Sequence, residues 1–314
     1  MRMCPRPAAR AVAGLLTLAG LLAVAGCASG QPGTVAPGRS RVLSVVAAEN
    51  VWGSIAAQLG GRQVRVRSII DSPAADPHSY EATASDARAF AAADLVVVNG
   101  IGYDTWASQL VAADASPGPL TLTVGAVLGV GDGQNPHRWY SPDDVDRVVG
   151  ALVLDYQRLD PADSTYFAQR ATYFRTVALA PYHAVIGQIR ARYAGTPVGA
   201  SESIFAMVSP ALGLDLVTPP GFLRAVSEGT DPTAADKATI DAQISGRQIA
   251  VYVVNSQNQT PDVRAQIDQA AAAHIPVTAI TETLSPASAT WQQWQTRQLV
   301  ALRDALAAAS TRGG

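Results

Sequence analysis

The stretch VLSVVAAENVWGSIAAQLGGRQVRVRSII, residues 42–70, decides the fold. Residues 42–48 form a short, β-branched apolar run of the kind that makes a buried strand. Asn50 is placed to cap a helix over 51–59, and Gly60-Gly61 supplies its stop. Residues 63–70 then alternate Val64, Val66 and Ser68 against Arg65 and Arg67, the period-2 signature of a second strand. Strands alternating with helices of this length indicate a parallel α/β sheet.

The same rhythm continues outward. An Asp/Pro-rich loop over 71–83 leads to a helix over 85–93 and a strand over 95–98 that Asn99-Gly100 terminates. A helix over 104–112, a strand over 120–128 and a Gly-rich loop follow. Ser141-Pro142-Asp143-Asp144 then marks a helix start, with a cap, Pro at the first helical position and acids in the first turn, running to about 159.

The longest helical pattern covers 161–193, with Tyr166, Phe167, Tyr173, Phe174, Val177, Leu179, Ile186 and Ile189 at mostly helical spacing and Pro181 as a kink. At 1.5 Å per residue it would span roughly 45 Å, too long for a small domain, so it is placed as a strut between two lobes. Beyond it the α/β rhythm restarts. Strands are expected over 197–200, 215–217, 249–254 and 277–280, and helices over 203–212, 233–246, 262–274 and 291–308. The expected fold class is therefore α/β: two lobes, 42–160 and 194–314, each a parallel sheet flanked by helices, joined by one rigid linking helix over 161–193.

The chain's ends and composition narrow the class further. Arg2, Arg6 and Arg10 precede an uncharged Ala/Leu-rich run, and Val24-Ala25-Gly26-Cys27 closes it, so residues 1–27 read as a signal peptide. The run is short for a spanning helix, which needs roughly 20 apolar residues. Residues 28–41, rich in Gly, Ser and Pro, read as a flexible tether. Cys4 lies in the part removed, so the mature chain keeps only Cys27, which leaves no disulfide framework and no thiolate metal site. A hydrophobic content of 48% against 15% charged residues describes a globular chain. A net charge of −2 with no basic stripe excludes a nucleic-acid partner.

The chain has four histidines, and their positions are informative. His78 sits in Asp76-Pro77-His78-Ser79-Tyr80-Glu81, the loop after the second strand. His137 sits in Asn135-Pro136-His137-Arg138-Trp139-Tyr140, the loop after the fourth. In open α/β sheets ligands bind beyond the carboxyl ends of the strands. His183 falls in the linking helix, and His274 at a helix C-terminus, where a favourable charge at the helix end explains it. In the second lobe the matching loops carry Glu202, after the strand ending at Ser201, and Glu282, after the strand ending at Thr281. Two neutral imidazoles and two carboxylates make a dianionic site suited to Mn²⁺, Fe²⁺ or Zn²⁺.

These motifs resemble those of the zinc- and manganese-binding lipoproteins of ABC importers, over nearly all of residues 42–310. The most specific stretches are Ala48-Glu49-Asn50-Val51-Trp52, the His78 and His137 loops, and Asp94-Leu95-Val96-Val97-Val98-Asn99-Gly100; Ser201-Glu202-Ser203 and Thr281-Glu282-Thr283-Leu284 look like the third and fourth ligand motifs. The resemblance implies a solute-binding protein that captures one divalent transition metal ion as cargo through His78, His137, Glu202 and Glu282. It implies delivery to an ABC permease and its ATPase. It also implies that Val24-Ala25-Gly26-Cys27 is a lipobox, with Cys27 lipidated and the monomeric protein anchored on the extracytoplasmic face of the cell membrane. Zinc members usually carry His at the third position and manganese members Glu; the fourth is usually Asp, one methylene shorter than Glu282. Glu202 and the lack of a His-rich loop tilt the expectation toward Mn²⁺ or Fe²⁺. A metallohydrolase would need an open coordination position and a base; no H-E-x-x-H pair and no phosphate-cradling Gly loop is present, so no enzyme is expected. The competing readings are a binding lipoprotein for a chelated metal or organic cofactor, with Tyr80, Arg138, Trp139 and Tyr140 lining its cleft, and an adhesive surface lipoprotein of the same fold.

Overall fold

The computed structural model describes residues 41–72, 80–113 and 118–311. The expected signal peptide, Cys27, nearly all of the tether, and His78 lie outside the described residues. In chain order the elements are β1 (Leu43–Glu49), α1 (Asn50–Gly60), β2 (Val64–Ile70), α2 (Ala84–Ala91), β3 (Leu95–Val98), α3 (Thr105–Ala113), β4 (Leu120–Thr123), α4 (Val124–Leu128), α5 (Pro142–Leu159), α6 (Ser164–Tyr173) and α7 (Ala180–Tyr193). They continue with β5 (Pro197–Ala200), α8 (Ile204–Leu212), β6 (Asp215–Leu216), α9 (Pro220–Ser227), α10 (Ala234–Ser245), β7 (Tyr252–Asn255), α11 (Pro261–Ala272), β8 (Val277–Ile280) and α12 (Trp291–Ser310). Two four-stranded sheets result, ordered β2-β1-β3-β4 and β6-β5-β7-β8, with every pairing parallel. No helix among the described residues is long and apolar enough to cross a membrane.

Strand alternation sorts the core into layers. Val45, Ala47, Leu95 and Val97 face one continuous inner core, whereas Val46, Ala48, Val96 and Val98 face an outer layer closed by Phe90 and Trp106. The second sheet repeats the scheme: Val251 and Val253 point inward, Tyr252 and Val254 into an outer layer with Ile240, Ile244 and Val263. Both faces of each parallel sheet are thus covered, as its near-continuous apolar strands require. The inner core runs unbroken from the first sheet through α5, α6, α7 and α12 to the second.

Several elements depart from the sequence reading for identifiable reasons. The expected single helix over 161–193 is a 3-10 turn at Pro161–Asp163, α6, a wide π turn over Phe174–Ala178 closed by Leu179 N–H donating to Phe174 O, and then α7. Pro181 has no N–H to continue the ladder and its ring would meet the carbonyl a turn earlier. The chain therefore breaks before it, and Pro181 occupies the first turn of α7, where the missing donor costs nothing. The strand expected over 120–128 ends at Thr123, and 124–128 is helix α4, stopped by left-handed Gly129. Asn50 does not cap α1: Glu49 holds that position, and the Asn50 side chain instead accepts from Leu284 N (3.3 Å) and donates to Asp71 O (3.4 Å). His274 ends α11 by its backbone, adopting φ 55° while Ile275 N–H returns to Ala270 O, a left-handed stop.

Candidate metal centre

The described candidate ligands all sit on loops leaving the carboxyl ends of strands, where backbone hydrogen bonding stops and side chains of both sheets can converge. Glu202 follows β5 and Glu282 follows β8, while His137 lies on the long connection after β4 and α4. All three are buried: His137 is 0% exposed, Glu202 3% and Glu282 8%. Two carboxylates and an imidazole buried together are costly unless their charges are compensated, as they would be by a bound cation.

The His137 ring is fixed from one side. Asn135 Nδ2 donates to Ser203 O (2.7 Å), which turns its Oδ1 toward His137, where it accepts from the backbone N–H (3.1 Å) and from Nδ1 (2.9 Å). Nδ1 is therefore the protonated nitrogen, and Nε2 is aimed at Glu282 Oε1 (3.2 Å). Two lone pairs at that distance require a proton or a cation between them, which is the donor arrangement a metal ion uses. Trp139 and Tyr103 pack edge-on against the imidazole at 5.3 and 5.9 Å between ring centres, closing it off from water.

The motifs singled out in the sequence prove to be one hydrogen-bonded chain behind this ring. Trp52 Nε1 donates to Asn99 Oδ1 (3.0 Å), and Asn99 Nδ2 donates to the carbonyl of Pro136 (3.1 Å), which directly precedes His137. On the opposite wall, Glu282 accepts from the Tyr103 hydroxyl (2.9 Å), and its backbone N–H donates to Gln257 Oε1 (2.6 Å).

Glu202 is held by amides. Asn255 Nδ2 donates to its Oε2 and Asn258 Nδ2 to its Oε1 (3.2 Å). Burial raises the Glu202 carboxyl above the usual range, with repulsion from Glu282 adding to it; His137 and the two amides pull it partly back. Glu202 thus feels both other candidates electrostatically while its oxygens are engaged elsewhere. Accordingly, among the described residues no three His, Cys, Asp or Glu side chains are gathered tightly enough to hold an ion. His137 and Glu282 are in contact, Glu202 stands nearby, and His78 lies outside the described residues.

The aromatic residues offered for a wider cleft serve the packing. Trp139 and Tyr140 are fully buried, Tyr140 donating to Thr281 O (2.7 Å), and Arg138 pairs with Asp144. Tyr80 stacks on Trp106 and donates to Asp86. Against a desolvation that would raise it, hydrogen bonds from Thr83 and Tyr80, with Arg67 alongside, hold Asp86 below the usual carboxylate range. Asn135, Asn99, Tyr103, Asn255, Asn258 and Gln257 were not legible as site residues, because their roles are contacts between distant segments. The one available signal was Asn99-Gly100, which reads equally well as a strand terminator.

Two parallel sheets joined by consecutive helical segments, with His137 and Glu282 in contact between them, define a two-lobed α/β architecture. Residues 45–305 match the family model described as zinc-uptake complex component A periplasmic, and the chain belongs to that family. Among curated relatives it is 29% identical over 153 residues to the manganese-binding lipoprotein MntA of Halalkalibacterium halodurans, covering 48% of this chain and 50% of that protein. It is 26% identical over 170 residues to the iron-binding protein YfeA of Yersinia pestis, covering 50% and 51%. The chain therefore spans about half the length of these relatives. Among solved structures, a manganese-bound periplasmic metal-binding protein from Candidatus Liberibacter asiaticus superimposes with TM-score 0.70 at 17% identity, covering 84% of this chain and 99% of that one. The Pseudomonas aeruginosa protein FpvC in complex with Mn²⁺ does so with TM-score 0.70 at 19% identity, covering 87% and 100%. At these identities the structural likeness establishes the fold.

Proposed function

We propose that this protein is an extracytoplasmic solute-binding protein that captures one divalent transition metal ion and delivers it to an ABC permease and its ATPase. The observation that carries the reading is the buried His137–Glu282 contact, with the imidazole tautomer already set to present Nε2, and the buried Glu202 near enough to feel both charges. Family membership and the manganese- and iron-binding names of the relatives support it. The ligand set is His78, His137, Glu202 and Glu282. On loading, the ion takes the place between Nε2 and Glu282, and Glu202 exchanges at least one amide contact for the metal. Two imidazoles with two carboxylates favour Mn²⁺ or Fe²⁺ slightly over Zn²⁺ by donor hardness, although Zn²⁺ binds most such sites more tightly than Mn²⁺.

No bound water or open coordination position is needed for this role, so the protein acts by binding and not by catalysis. Cys27 would carry the acyl chains that hold the 42–160 and 194–314 lobes, with their 161–193 link, outside the membrane. Capture of a chelated metal is the weaker reading, because Trp139 and Tyr140, which would line a wider cleft, are spent in the core. Metal content of the purified protein tests the proposal: one equivalent of Mn, Fe or Zn is expected, lost in both His137→Ala and Glu202→Ala. No metal under any loading condition would refute it.

A further inference from the structure

Beneath the candidate ligands lies a second pair of acids that metal binding does not use. Glu49, the last residue of β1, is 1% exposed, and Asp104, just before α3, is 0% exposed. The parallel register of β1 with β3 (Ala47 beside Val97) brings the end of β1 next to the turn that follows β3, which is where Asp104 sits. Asp104 is anchored at both oxygens: one accepts from Asn99 N–H (2.6 Å), the other from Gly100 N–H (2.7 Å). Among the described residues, neither oxygen of Glu49 meets an N–H or O–H donor. Of the neighbouring charges, that of Asp104 acts on it most strongly, with that of Glu282 more remote.

Two carboxylates can be hydrogen-bonded only if one carries a proton. Burial raises the Asp104 carboxyl too, but the two backbone N–H bonds it accepts pull it back, so of the two it is the better suited to keep the charge; Glu49, with no donor from a neighbour among the described residues, is suited to be the acid. Burial first, then Asp104 beside it, pushes the Glu49 carboxyl well above the usual range, in keeping with this assignment.

The turn this pair holds is strained. Gly100, Ile101 and Gly102 all have positive φ (69°, 61° and 76°), and Ile101 is β-branched, a residue type that avoids that region. Such a conformation persists only where its surroundings over-determine it. Here Asp104 ties down the N–H groups of Asn99 and Gly100, and Tyr103 N–H closes the turn on Gly100 O (3.0 Å). The product of the turn is the position of Tyr103, whose hydroxyl donates to Glu282 and whose ring packs against His137. Asn99, at the start of the same turn, carries the bond to Pro136 O.

We propose that neutral Glu49 and ionised Asp104 form a buried acid pair that positions Tyr103 and Asn99, and through them Glu282 and His137, for the metal. The inference rests on the metal-binding reading above. Glu49→Gln keeps a neutral donor toward Asp104, whereas Glu49→Leu removes it. Tyr103→Phe removes only the last link and spares the pair. Mn²⁺ and Zn²⁺ affinities are measured by isothermal titration on the detergent-solubilised full chain. Glu49→Gln is expected to bind like the parent, and Glu49→Leu and Tyr103→Phe about tenfold or more weaker, as for loss of an outer-shell partner. A metal-independent readout accompanies it: the infrared carbonyl absorption of buried protonated carboxylic acids, expected in the parent to contain a Glu49 component that Glu49→Gln removes, whatever Glu202 contributes.

Absence of metal binding by the parent would refute the metal reading alone, and the infrared band would still decide whether the acid pair exists. Parent-like affinity in Glu49→Leu or in Tyr103→Phe would overturn the positioning role. An infrared band unchanged in Glu49→Gln, or a Glu49→Gln loss as large as that of Glu49→Leu, would overturn the neutral-acid assignment. If Glu49→Leu fails to fold, Tyr103→Phe and the infrared comparison still decide the matter.

Discussion

Asn135 is the residue on which the imidazole assignment stands, and replacing it with Ala isolates that assignment. The variant removes three hydrogen bonds: two into His137, to N–H and Nδ1, and one from Nδ2 to Ser203 O across the two halves of the chain. At about 0.5–1.5 kcal/mol net each, the sum is about 1.5–4.5 kcal/mol. A cavity of 260 Å³ opens beside these atoms, lined by Asn135, His137, Ser203 and Leu223, so water can re-satisfy part of what is lost. The lower half of that range is therefore expected, a fall in melting temperature of several degrees at about 2–4 °C per kcal/mol for a chain of this size. Metal affinity should fall further than stability suggests, by about 10–100-fold, because the ring is then free to rotate and to present the wrong tautomer. Differential scanning fluorimetry of the metal-free protein gives the first quantity and isothermal titration with Mn²⁺ the second. Asn135→Asp keeps both acceptor bonds to His137 while losing the donation to Ser203, so it should be destabilised yet retain affinity to within about threefold, or about 0.7 kcal/mol. An Asn135→Ala protein with reduced melting temperature and unchanged metal affinity would refute the claim that this amide fixes Nε2 toward the ion.

Two further expectations follow from the same geometry. Burial raises the carboxyls of both Glu49 and Glu202, so the folded metal-free protein keeps protons that the unfolded chain has released; stability is then lost as pH rises above the unfolded glutamate value of about 4.3 and on through the folded values. Urea unfolding across that range should show a shallower decline for Glu49→Gln than for the parent, and a decline equally steep in both would count against the raised value. Tyr140→Phe leaves Thr281 O without its donor (2.7 Å) at a buried contact between the two halves, for an expected loss of about 1–3 kcal/mol in chemical denaturation; no measurable loss would mean that water replaces the hydroxyl.

What the sequence made legible was local or periodic. β1 and β3 announce themselves as apolar runs because parallel strands covered on both faces have no polar side. The start of α5 is marked by Ser141, which accepts from Asp144 N–H as expected. What was not legible required partners far along the chain. Asn50 looks like a cap until Leu284 offers it a backbone N–H. The helix α9 hides because Thr218-Pro219-Pro220-Gly221 reads as a turn, although Pro220 in the first turn is well suited to begin a helix. His137, Glu202 and Glu282 could be nominated because strand ends collect ligands; of the amides that hold them, Asn135 stands in the His137 motif without its role being readable, and Asn255 and Asn258 carry no mark that distinguishes them from ordinary loop residues.

The same contacts constrain how an ion could leave. A hinge that swung the two halves apart would have to split the inner core, which is continuous through α7 and α12, and expose Tyr182, Trp291 and Leu302 to water. It would also break the reciprocal amide pair of Gln58 and Gln292 (3.0 and 2.6 Å), the bond from Trp291 Nε1 to Trp139 O (3.2 Å) and that from Trp291 N–H to Ser54 Oγ (2.9 Å). At about 25 cal/mol per Å² of apolar surface, exposing even a few large side chains exceeds what one docking event is expected to supply. Local movement of the candidate ligand side chains disturbs none of these contacts. The Glu202 carboxylate is held by the Asn255 and Asn258 amides, and that of Glu282 accepts from Tyr103 beside His137, so a partner that displaced these side chains would unseat a carboxylate without moving Leu284 out of the core. If the proposed metal-binding role holds, this packing favours release by local displacement of the Glu282 side chain over opening of the lobes.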